Sequence, residues 1–200
     1  MPAGAANVSR ETEAKLAAYA DLLRKWTRKI NLVSRATLDD LEHRHIVDSA
    51  QLLDCAPMEW EHWVDLGSGG GLPGLVIAIH SVGSGRHITL VESDQRKAAF
   101  LRTVIRELAL PAKVSVGRVA DQAPLRADVI SARALAPLTT LLRYAEKHLS
   151  PDGTAVFPKG RTVADEIATA RTEWSFALTK LPSKTSPDSV ILRIEDIHRA

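Results

Sequence analysis

Apolar residues near the start of the chain recur every three or four positions, the spacing of an amphipathic helix. The first stripe comprises Leu16, Tyr19, Leu23, Trp26 and Ile30. Ser9 precedes this stripe, where its hydroxyl can cap the first turn. A second helix is predicted to begin at a capping box, Thr37 to Asp40, and to end at Pro57. It carries Leu41, Ile46, Leu52 and Leu53. Residues 1–60 are therefore predicted to form a helical extension.

From Trp63 onward, short β-rich runs alternate with amphipathic helices. The predicted strands span residues 63–66, 87–91, 113–116, 128–131, 154–157, 174–180 and 189–194. The predicted helices span residues 73–80, 95–108, 135–149 and 162–171. This alternation is typical of βαβ units and predicts an α/β domain over residues 61–200, with a seven-stranded, mostly parallel sheet. A short link joins the last two strands, which are expected to form an antiparallel hairpin at the sheet edge.

Composition is that of an ordinary globular protein. Apolar residues make up 45% of the 200 positions and charged residues 25%, with a formal net charge of +2. Cys55 is the only cysteine, so no internal disulfide can form. No signal-peptide pattern and no apolar run of about 18 residues stands out, and we expect a cytoplasmic protein without a membrane span. Histidines show no ligand-like spacing, so no metal site is expected.

Local charge is more informative than net charge. Arg28, Lys29 and Arg35 belong to a basic run without an intervening acid, which suits contacts to RNA phosphates. A solvated helix face is an equally good interpretation of this run. Lys159, just beyond a predicted strand end, is a further candidate for a phosphate contact.

The strongest chemical signal is the turn from Asp65 to Gly74. An apolar strand ends at Asp65, and four glycines follow within five residues, from Gly67 to Gly71. Such a turn lets the main chain approach a cofactor closely. Gly69, Gly71 and Gly74 formally match the dinucleotide fingerprint, so an NAD-type cofactor is one alternative. An acid before the first glycine is more typical of an S-adenosylmethionine (SAM) cradle.

Later segments are consistent with an adenosine-containing cofactor. Glu92 ends the next strand, where a carboxylate can accept both hydroxyls of a ribose. This acid suits NAD and SAM equally. Asp121, after the third strand, could meet the adenine edge, cap a helix or lie in solvent. Arg133 follows the fourth strand, where methyltransferases hold the target base, and no cysteine for covalent cytosine chemistry follows it.

Five segments in order resemble the bacterial 16S rRNA guanine-N7 methyltransferase family, RsmG, also called glucose-inhibited division protein B. The segments are Trp26 to Ser34, Arg44 to Ser49, Gly67 to Gly74, Ser131 to Ala134 and Pro158 to Gly160. The resemblance covers about residues 15–195. It implies a class I, Rossmann-like methyltransferase fold with SAM as cofactor. It also implies methyl transfer to N7 of a guanine in 16S rRNA, free or within a small-subunit particle, by a protein that we expect to be monomeric.

The family's cofactor contacts carry over onto Gly67, Leu72, Val119, Ala120 and Arg133. With the residues of the turn and the ribose acid, the expected cofactor-binding set is Asp65, Gly67, Gly69, Gly71, Leu72, Glu92, Val119, Ala120 and Arg133. The family commonly has a glutamate at the position of Ala120, so only a backbone contact transfers there, and Asp121 is a candidate replacement.

Catalysis is expected to depend on positioning rather than on a general base, because guanine N7 carries no proton. Arg133 is the one candidate for a direct catalytic role. His45 and Asp48 could shape the target pocket, or they could fasten the helical extension to the core. Two alternatives to rRNA methylation remain open: a SAM-binding, non-catalytic RNA-binding or ribosome assembly factor, and a small-molecule methyltransferase.

Overall fold

The computed structural model describes residues 9–200, apart from the side chain of Arg35. The first eight residues of the predicted extension and the Arg35 side chain thus lie outside the described part of the chain. Seven strands form one sheet in the order β3-β2-β1-β4-β5-β7-β6. They are β1 (His62–Leu66), β2 (His87–Glu92), β3 (Ala112–Val116), β4 (Ala127–Ala132), β5 (Leu149–Lys159), β6 (Trp174–Pro182) and β7 (Val190–Arg199).

The first five strands pair in parallel, whereas β7 pairs antiparallel with both β5 and β6. The α/β class, the mostly parallel sheet and the antiparallel edge hairpin are therefore confirmed. The α-helices are α1 (Arg10–Thr27), α2 (Asp48–Ala50), α3 (Gly74–His80), α4 (Gln95–Leu108), α5 (Leu138–His148) and α6 (Val163–Ala170). No described helix is long and apolar enough to cross a membrane.

The first helix follows the sequence pattern closely, but the second does not. Ser9 caps α1 by accepting the Thr12 N–H. The predicted second helix is instead a chain of short turns: a π-helical segment Glu42–Val47, the single turn α2, and a 3-10 segment Gln51–Cys55. Thr37 does not cap it, because the Thr37 hydroxyl donates to Ser34 O and pairs with His45 Nε2. The capping-box prediction was wrong because two other local contacts, to Ser34 and His45, take the hydroxyl.

Two boundaries around α5 also differ from the prediction. The helix begins at Leu138 rather than at residue 135, because Ala134 has a left-handed φ of 51° and Pro137 is extended at the N-cap. Strand β5 begins at Leu149, five residues earlier than predicted. Pairing of β4 with β5 shifts register between Ala127 and Val129, and Gly153 lies at this irregularity, where a Cβ would be 2.9 Å from Ala127 O. A local bulge therefore allows β5 to begin at Leu149, although the sequence of residues 150–153 is typical of a turn.

Two apolar clusters cover the two faces of the sheet. One contains α3, α4 and the N-terminal segments, with Tyr19, Leu23 and Trp63 fully buried. The other contains α5 and α6. The strand order reverses direction between β1 and β4, so a crevice opens beyond their carboxyl ends, where open α/β sheets bind ligands.

Candidate active site

The glycine-rich turn after β1 uses its glycines for two different purposes. A Cβ on Gly71 would lie 2.2 Å from Leu75 Cδ1, and one on Gly74 would lie 2.2 Å from Leu90 Cδ2. These two glycines let α3 pack closely against the sheet. Gly69 has a φ of +54°, and a Cβ there would meet nothing closer than Gly67 O at 3.8 Å. The backbone at Gly69 therefore faces open space that a ligand can enter.

Most N–H groups of this turn already have partners inside the protein. Gly69 N–H donates to Glu92 Oε2 at 2.8 Å, and Gly74 N–H donates to Asp65 Oδ2 at 3.2 Å. The N–H groups of Ser68, Gly71 and Leu72 donate to backbone carbonyls. A dinucleotide pyrophosphate needs several free N–H donors at such a turn. The turn therefore fits a cofactor without a pyrophosphate better than it fits NAD.

Glu92 lies at the carboxyl end of β2, beside the turn, and is 6% exposed. Its two oxygens accept the N–H groups of Gly69 and Asp94, at 2.8 and 2.7 Å. An ionised carboxylate has about four acceptor positions, so two remain for a pair of ribose hydroxyls. The geometry therefore suits the diol contact that the sequence suggests for Glu92.

The segment after β3 lies next to this carboxylate. Gly117 N–H donates to Glu92 O at 3.0 Å, and a 3-10 turn follows over Val119–Asp121. The carbonyls of Val119 and Ala120 accept hydrogen bonds from His148 and Lys147 on α5. These bonds fix the backbone that the family resemblance assigns to the cofactor. Asp121 is exposed, and its N–H donates to Arg118 O.

Asp65 has a different role from the direct cofactor contact expected of it. The side chain has no exposed surface, and its two oxygens accept the Ser131 hydroxyl at 2.7 Å and the Gly74 N–H at 3.2 Å. Burial raises the pKa of Asp65 to about 6, against the lowering effect of these hydrogen bonds. Because Ser131 ends β4 and Gly74 begins α3, Asp65 joins the cradle to the neighbouring strand.

Tyr19 connects the N-terminal extension to the same turn. Its hydroxyl donates to Gly70 O at 2.6 Å, and the side chain is fully buried. Leu23 also packs near Gly70, where a Cβ would lie 3.3 Å from its Cδ1. The first helix therefore supports the turn from behind. The sequence indicated Tyr19 only as part of an apolar stripe.

A cleft of about 700 Å³ lies beyond the carboxyl ends of β4 and β5. This volume falls within the range of small-molecule sites. Its wall includes the segment Ala132 to Pro137, where Ala134 holds its left-handed conformation. Leu135 lies between this cleft and the cradle, because a Cβ on Gly67 would be 2.6 Å from Leu135 Cδ1. Cradle and cleft are thus adjacent.

Arg133 enters the cleft together with Asp48 from α2. Nη1 of Arg133 lies 3.1 Å from His45 Nδ1 and 3.6 Å from Asp48 Oδ2. Asp48 Oδ1 accepts from Gln51 Nε2 at 2.8 Å and from the Thr185 hydroxyl at 2.7 Å. The structure thus joins the extension, the end of β4 and the β6–β7 loop at one point.

His45 is neutral in this arrangement, and its tautomer follows from its neighbours. An arginine can only donate, so Nδ1 accepts from Arg133. Thr37 gives its hydroxyl proton to Ser34 O, so Nε2 carries a hydrogen and donates to Thr37 Oγ1 at 2.8 Å. Burial, together with the Arg133 charge, lowers the pKa of His45 to about 4. His45 thus fastens the extension to Arg133 at the end of β4.

Lys159 does not present its ammonium group to solvent, which contradicts its expected contact with RNA phosphate. Its side chain is 10% exposed, and Nζ donates to Glu166 Oε2 at 2.7 Å and to Ala136 O at 3.2 Å. Glu166 also accepts the Leu138 N–H and the Thr162 hydroxyl. The pair therefore holds the Ala136 backbone against the start of α5.

The basic run at the end of α1 remains available for RNA. Arg28 and Lys29 are exposed, and neither forms an ion pair with any residue that the structure describes. Arg35 begins a 3-10 turn, Arg35–Thr37. Within residues 9–200 no group of three or more histidine, cysteine, aspartate or glutamate side chains could hold a metal ion.

Several residues that line or support the cleft were not predicted from the sequence. Glu166 lines it, whereas Gln51 and Thr185 hydrogen-bond to Asp48; the three belong to distant segments, and none has a motif of its own. Leu135 lies two residues after the predicted Arg133, and its place above Gly67 depends on the turn at Ala134.

Solved structures with a similar fold include methyltransferases. Mitomycin 7-O-methyltransferase MmcR superposes with a TM-score of 0.62 over 98% of this chain and 69% of that chain, at 16% identity. TYW2 of Pyrococcus horikoshii, in complex with MeSAdo, gives a TM-score of 0.57 over 84% of this chain and 65% of that chain, at 14% identity. These likenesses establish the fold, which matches the class I methyltransferase prediction.

Sequence comparison identifies the family. A protein of Paracoccus denitrificans named ribosomal RNA small subunit methyltransferase G is 52% identical over 195 residues, covering 97% of this chain and 100% of the relative. The profile of the GidB family, described as rRNA small subunit methyltransferase G, matches residues 12–190. The chain therefore belongs to the GidB family of rRNA small subunit methyltransferases.

Proposed function

We propose that this protein transfers a methyl group from SAM to N7 of a specific guanine in 16S rRNA. The observation that carries the proposal is the adjacency of the two sites: Leu135 lies directly above Gly67 of the cradle and also lines the 700 Å³ cleft. A cofactor on the turn would therefore face a base in the cleft. Family membership supports an rRNA of the small subunit as substrate, and we expect the protein to act in the cytoplasm as a monomer.

The residues present fit SAM. Glu92 has acceptor positions for the ribose hydroxyls, and the backbone at Gly69 faces open space. Most N–H groups of the turn are already paired, which suits a cofactor without a pyrophosphate. Gly67, Leu72, Val119 and Ala120 are proposed to line the cofactor through their backbone, and Gly71 to shape the turn. Arg133, which the family resemblance assigns to the cofactor, is proposed to face the base instead, because its side chain lines the cleft. TYW2, which shares the fold, was solved with MeSAdo. SAM held there would supply a methyl group on a sulfonium sulfur, for which the lone pair of guanine N7 is the acceptor.

This chemistry requires alignment and not proton removal. Guanine N7 has a free lone pair in the plane of the ring, so no base need act before transfer. The protein's contribution is to orient the base and exclude water, and orientation alone can supply about 7–11 kcal/mol. Arg133 is held by His45 and Asp48 at the cleft wall, which suits it for orienting a polar edge. Arg28, Lys29 and Arg35 are proposed to contact RNA phosphates.

The decisive experiment maps 7-methylguanosine in small-subunit rRNA from cells with and without the gene. The purified protein is then given labelled SAM and either small subunits or naked rRNA from the deletion strain. We expect one guanosine to lose its methyl group in the deletion strain and to regain it in vitro. Binding of SAM without transfer would favour the non-catalytic assembly factor, and transfer to small molecules alone would favour the small-molecule methyltransferase.

A further inference from the structure

Two ion pairs line the same cleft, but they differ in how many of their hydrogen-bonding positions are used. One is Lys159 with Glu166, at 2.7 Å; the other is Arg133 with Asp48, at 3.6 Å. The first pair is nearly saturated, because Glu166 uses three of its about four acceptor positions and Nζ of Lys159 uses two of its three donors. Such a pair fixes structure and leaves little hydrogen-bonding capacity for a ligand.

The second pair retains unused capacity. Asp48 Oδ1 has two donors, but Oδ2 accepts no hydrogen bond from any residue that the structure describes, since Arg133 stands at 3.6 Å. Arg133 uses Nη1 toward His45, and its Nε and Nη2 have no acceptor within residues 9–200. The two side chains are 22% and 19% exposed and line the cleft, so their unused donor and acceptor positions are accessible to a ligand. A partly buried pair with a spare donor and a spare acceptor suits recognition of a ligand with the complementary pattern.

Guanine has that pattern on its Watson–Crick edge. O6 accepts a hydrogen bond, and the neighbouring N1–H donates one. Single-stranded and flipped bases are commonly read on this edge. Contacts there leave N7, on the other side of O6, free to face the cradle. An arginine bound to O6 and N7 together would instead block the atom to be methylated.

We propose that Asp48 and Arg133 select guanine as the target base, with Asp48 Oδ2 accepting from N1–H and Arg133 donating to O6. This inference rests on the proposed function and adds the origin of its base specificity. Adenine reverses both positions, since its N6 amino group would meet the arginine and its unprotonated N1 would meet the carboxylate. Such a mismatch is costly, because a bound base would exclude water from polar groups that it leaves unpaired.

His45, Gln51 and Thr185 are positioning residues in this scheme. His45 holds Nη1 of Arg133, while Gln51 and Thr185 hold Oδ1 of Asp48. They orient the two reading atoms toward the cleft without contacting the base themselves.

The test compares kcat/KM for small-subunit RNA carrying guanosine, inosine or adenosine at the mapped target position. Wild type is expected to methylate inosine, which keeps O6 and N1–H, and to reject adenosine. Asp48→Asn replaces an acceptor by an amide that can donate to N1 of adenine. It should lower the guanosine-to-adenosine ratio about tenfold or more, the scale of one base-edge contact. Arg133→Lys, which keeps the charge but loses the fork, should lower the same ratio.

Two control variants distinguish a loss of base selectivity from a general loss of structure or activity. Asp54→Asn removes an exposed acid six residues after Asp48, which pairs with Lys184. Glu166→Gln disrupts the Lys159–Glu166 pair, which lines the same cleft. Both variants should keep the wild-type ratio of kcat/KM for guanosine to kcat/KM for adenosine, even if both values fall. Equal losses on guanosine and adenosine in Asp48→Asn and Arg133→Lys would overturn the inference. A wild-type protein that makes no 7-methylguanosine would instead overturn the proposed function.

SAM affinity and thermal unfolding are measured alongside. A folded, SAM-binding Asp48→Asn protein makes its base ratio interpretable. If Asp48→Asn does not fold, the Arg133→Lys result decides the test, because a lysine preserves the ion pair with Asp48.

Discussion

The cofactor cradle and the acceptor cleft lie side by side, yet they are built in opposite ways. The cradle consists of consecutive residues whose N–H groups are bound by Glu92, Asp65 and nearby carbonyls. The cleft is assembled from distant side chains, and its Arg133–Asp48 pair keeps free donors and acceptors. A rigid, satisfied backbone suits a constant cofactor, whereas spare side-chain capacity suits the selection of a substrate.

The largest expected effect is a loss of stability in the cradle, where Gly71 is both tightly packed and in a left-handed backbone conformation. Gly71→Ala adds a Cβ 2.2 Å from Leu75 Cδ1 at a φ of +87°. Overpacking of about 1–3 kcal/mol and a left-handed alanine of about 1–2 kcal/mol should together lower the free energy of unfolding by about 2–5 kcal/mol. Denaturant unfolding measures this loss.

Gly83→Ala is the matched control for that prediction. Gly83 has a similar φ of +77°, but nothing lies within 4 Å of its added Cβ. We expect only the backbone cost of about 1–2 kcal/mol. Equal losses in both variants would show that Leu75 yields to the new methyl group and that the turn is not tightly packed.

Glu92→Gln should weaken cofactor binding with less effect on the fold. The amide removes the charge that strengthens hydrogen bonds to hydroxyl donors, and such bonds contribute about 1.5–3 kcal/mol, or roughly 10–150-fold in Kd. Calorimetric titration with SAM measures the loss. Asp94→Asn, a change at a neighbouring acid that caps α4, is the control and should leave the affinity unchanged. An unaltered Kd in Glu92→Gln would remove Glu92 from the site.

How much the sequence could predict follows from the same contrast. The cradle was predictable because Asp65 to Gly74 and Glu92 combine glycine spacing with strand ends, both of which are local signals. The sheet was predictable from the alternation of strands and helices. The start of β5 was not, because the pairing of β4 with β5 is irregular near Gly153. The pairing of Asp48 with Arg133 and the burial of Lys159 depend on segments that meet only in the folded protein. No local pattern encodes such contacts.

Lys159→Met is expected to act on the fold and not on RNA binding. Loss of the ammonium leaves Glu166 without its cation and Ala136 O without a donor, which should lower the free energy of unfolding by about 1–3 kcal/mol. The dependence of RNA affinity on salt concentration should keep its slope.

Lys29→Ala provides the opposite control, because Lys29 is exposed on the basic run. This variant should reduce the salt slope by about 1 and leave stability nearly unchanged. A reduced slope in Lys159→Met would restore Lys159 as a phosphate contact.

A pair of opposite pH dependences is also expected, one for each region. The folded pKa of Asp65 is raised from 3.8 to about 6, so its contribution to stability is complete below pH 3.8 and is lost as pH rises through 6. The folded pKa of His45 is lowered from 6.5 to about 4, so its contribution is complete above pH 6.5 and is lost as pH falls through 4. Wild type should therefore lose stability relative to Asp65→Asn, and gain it relative to His45→Gln, as pH rises from 4 to 6.5. Gln suits the second comparison because its amide can accept from Arg133 and donate to Thr37. Unfolding titrations of the three proteins at several pH values measure both differences, and differences with the same sign would mean that burial does not control both groups.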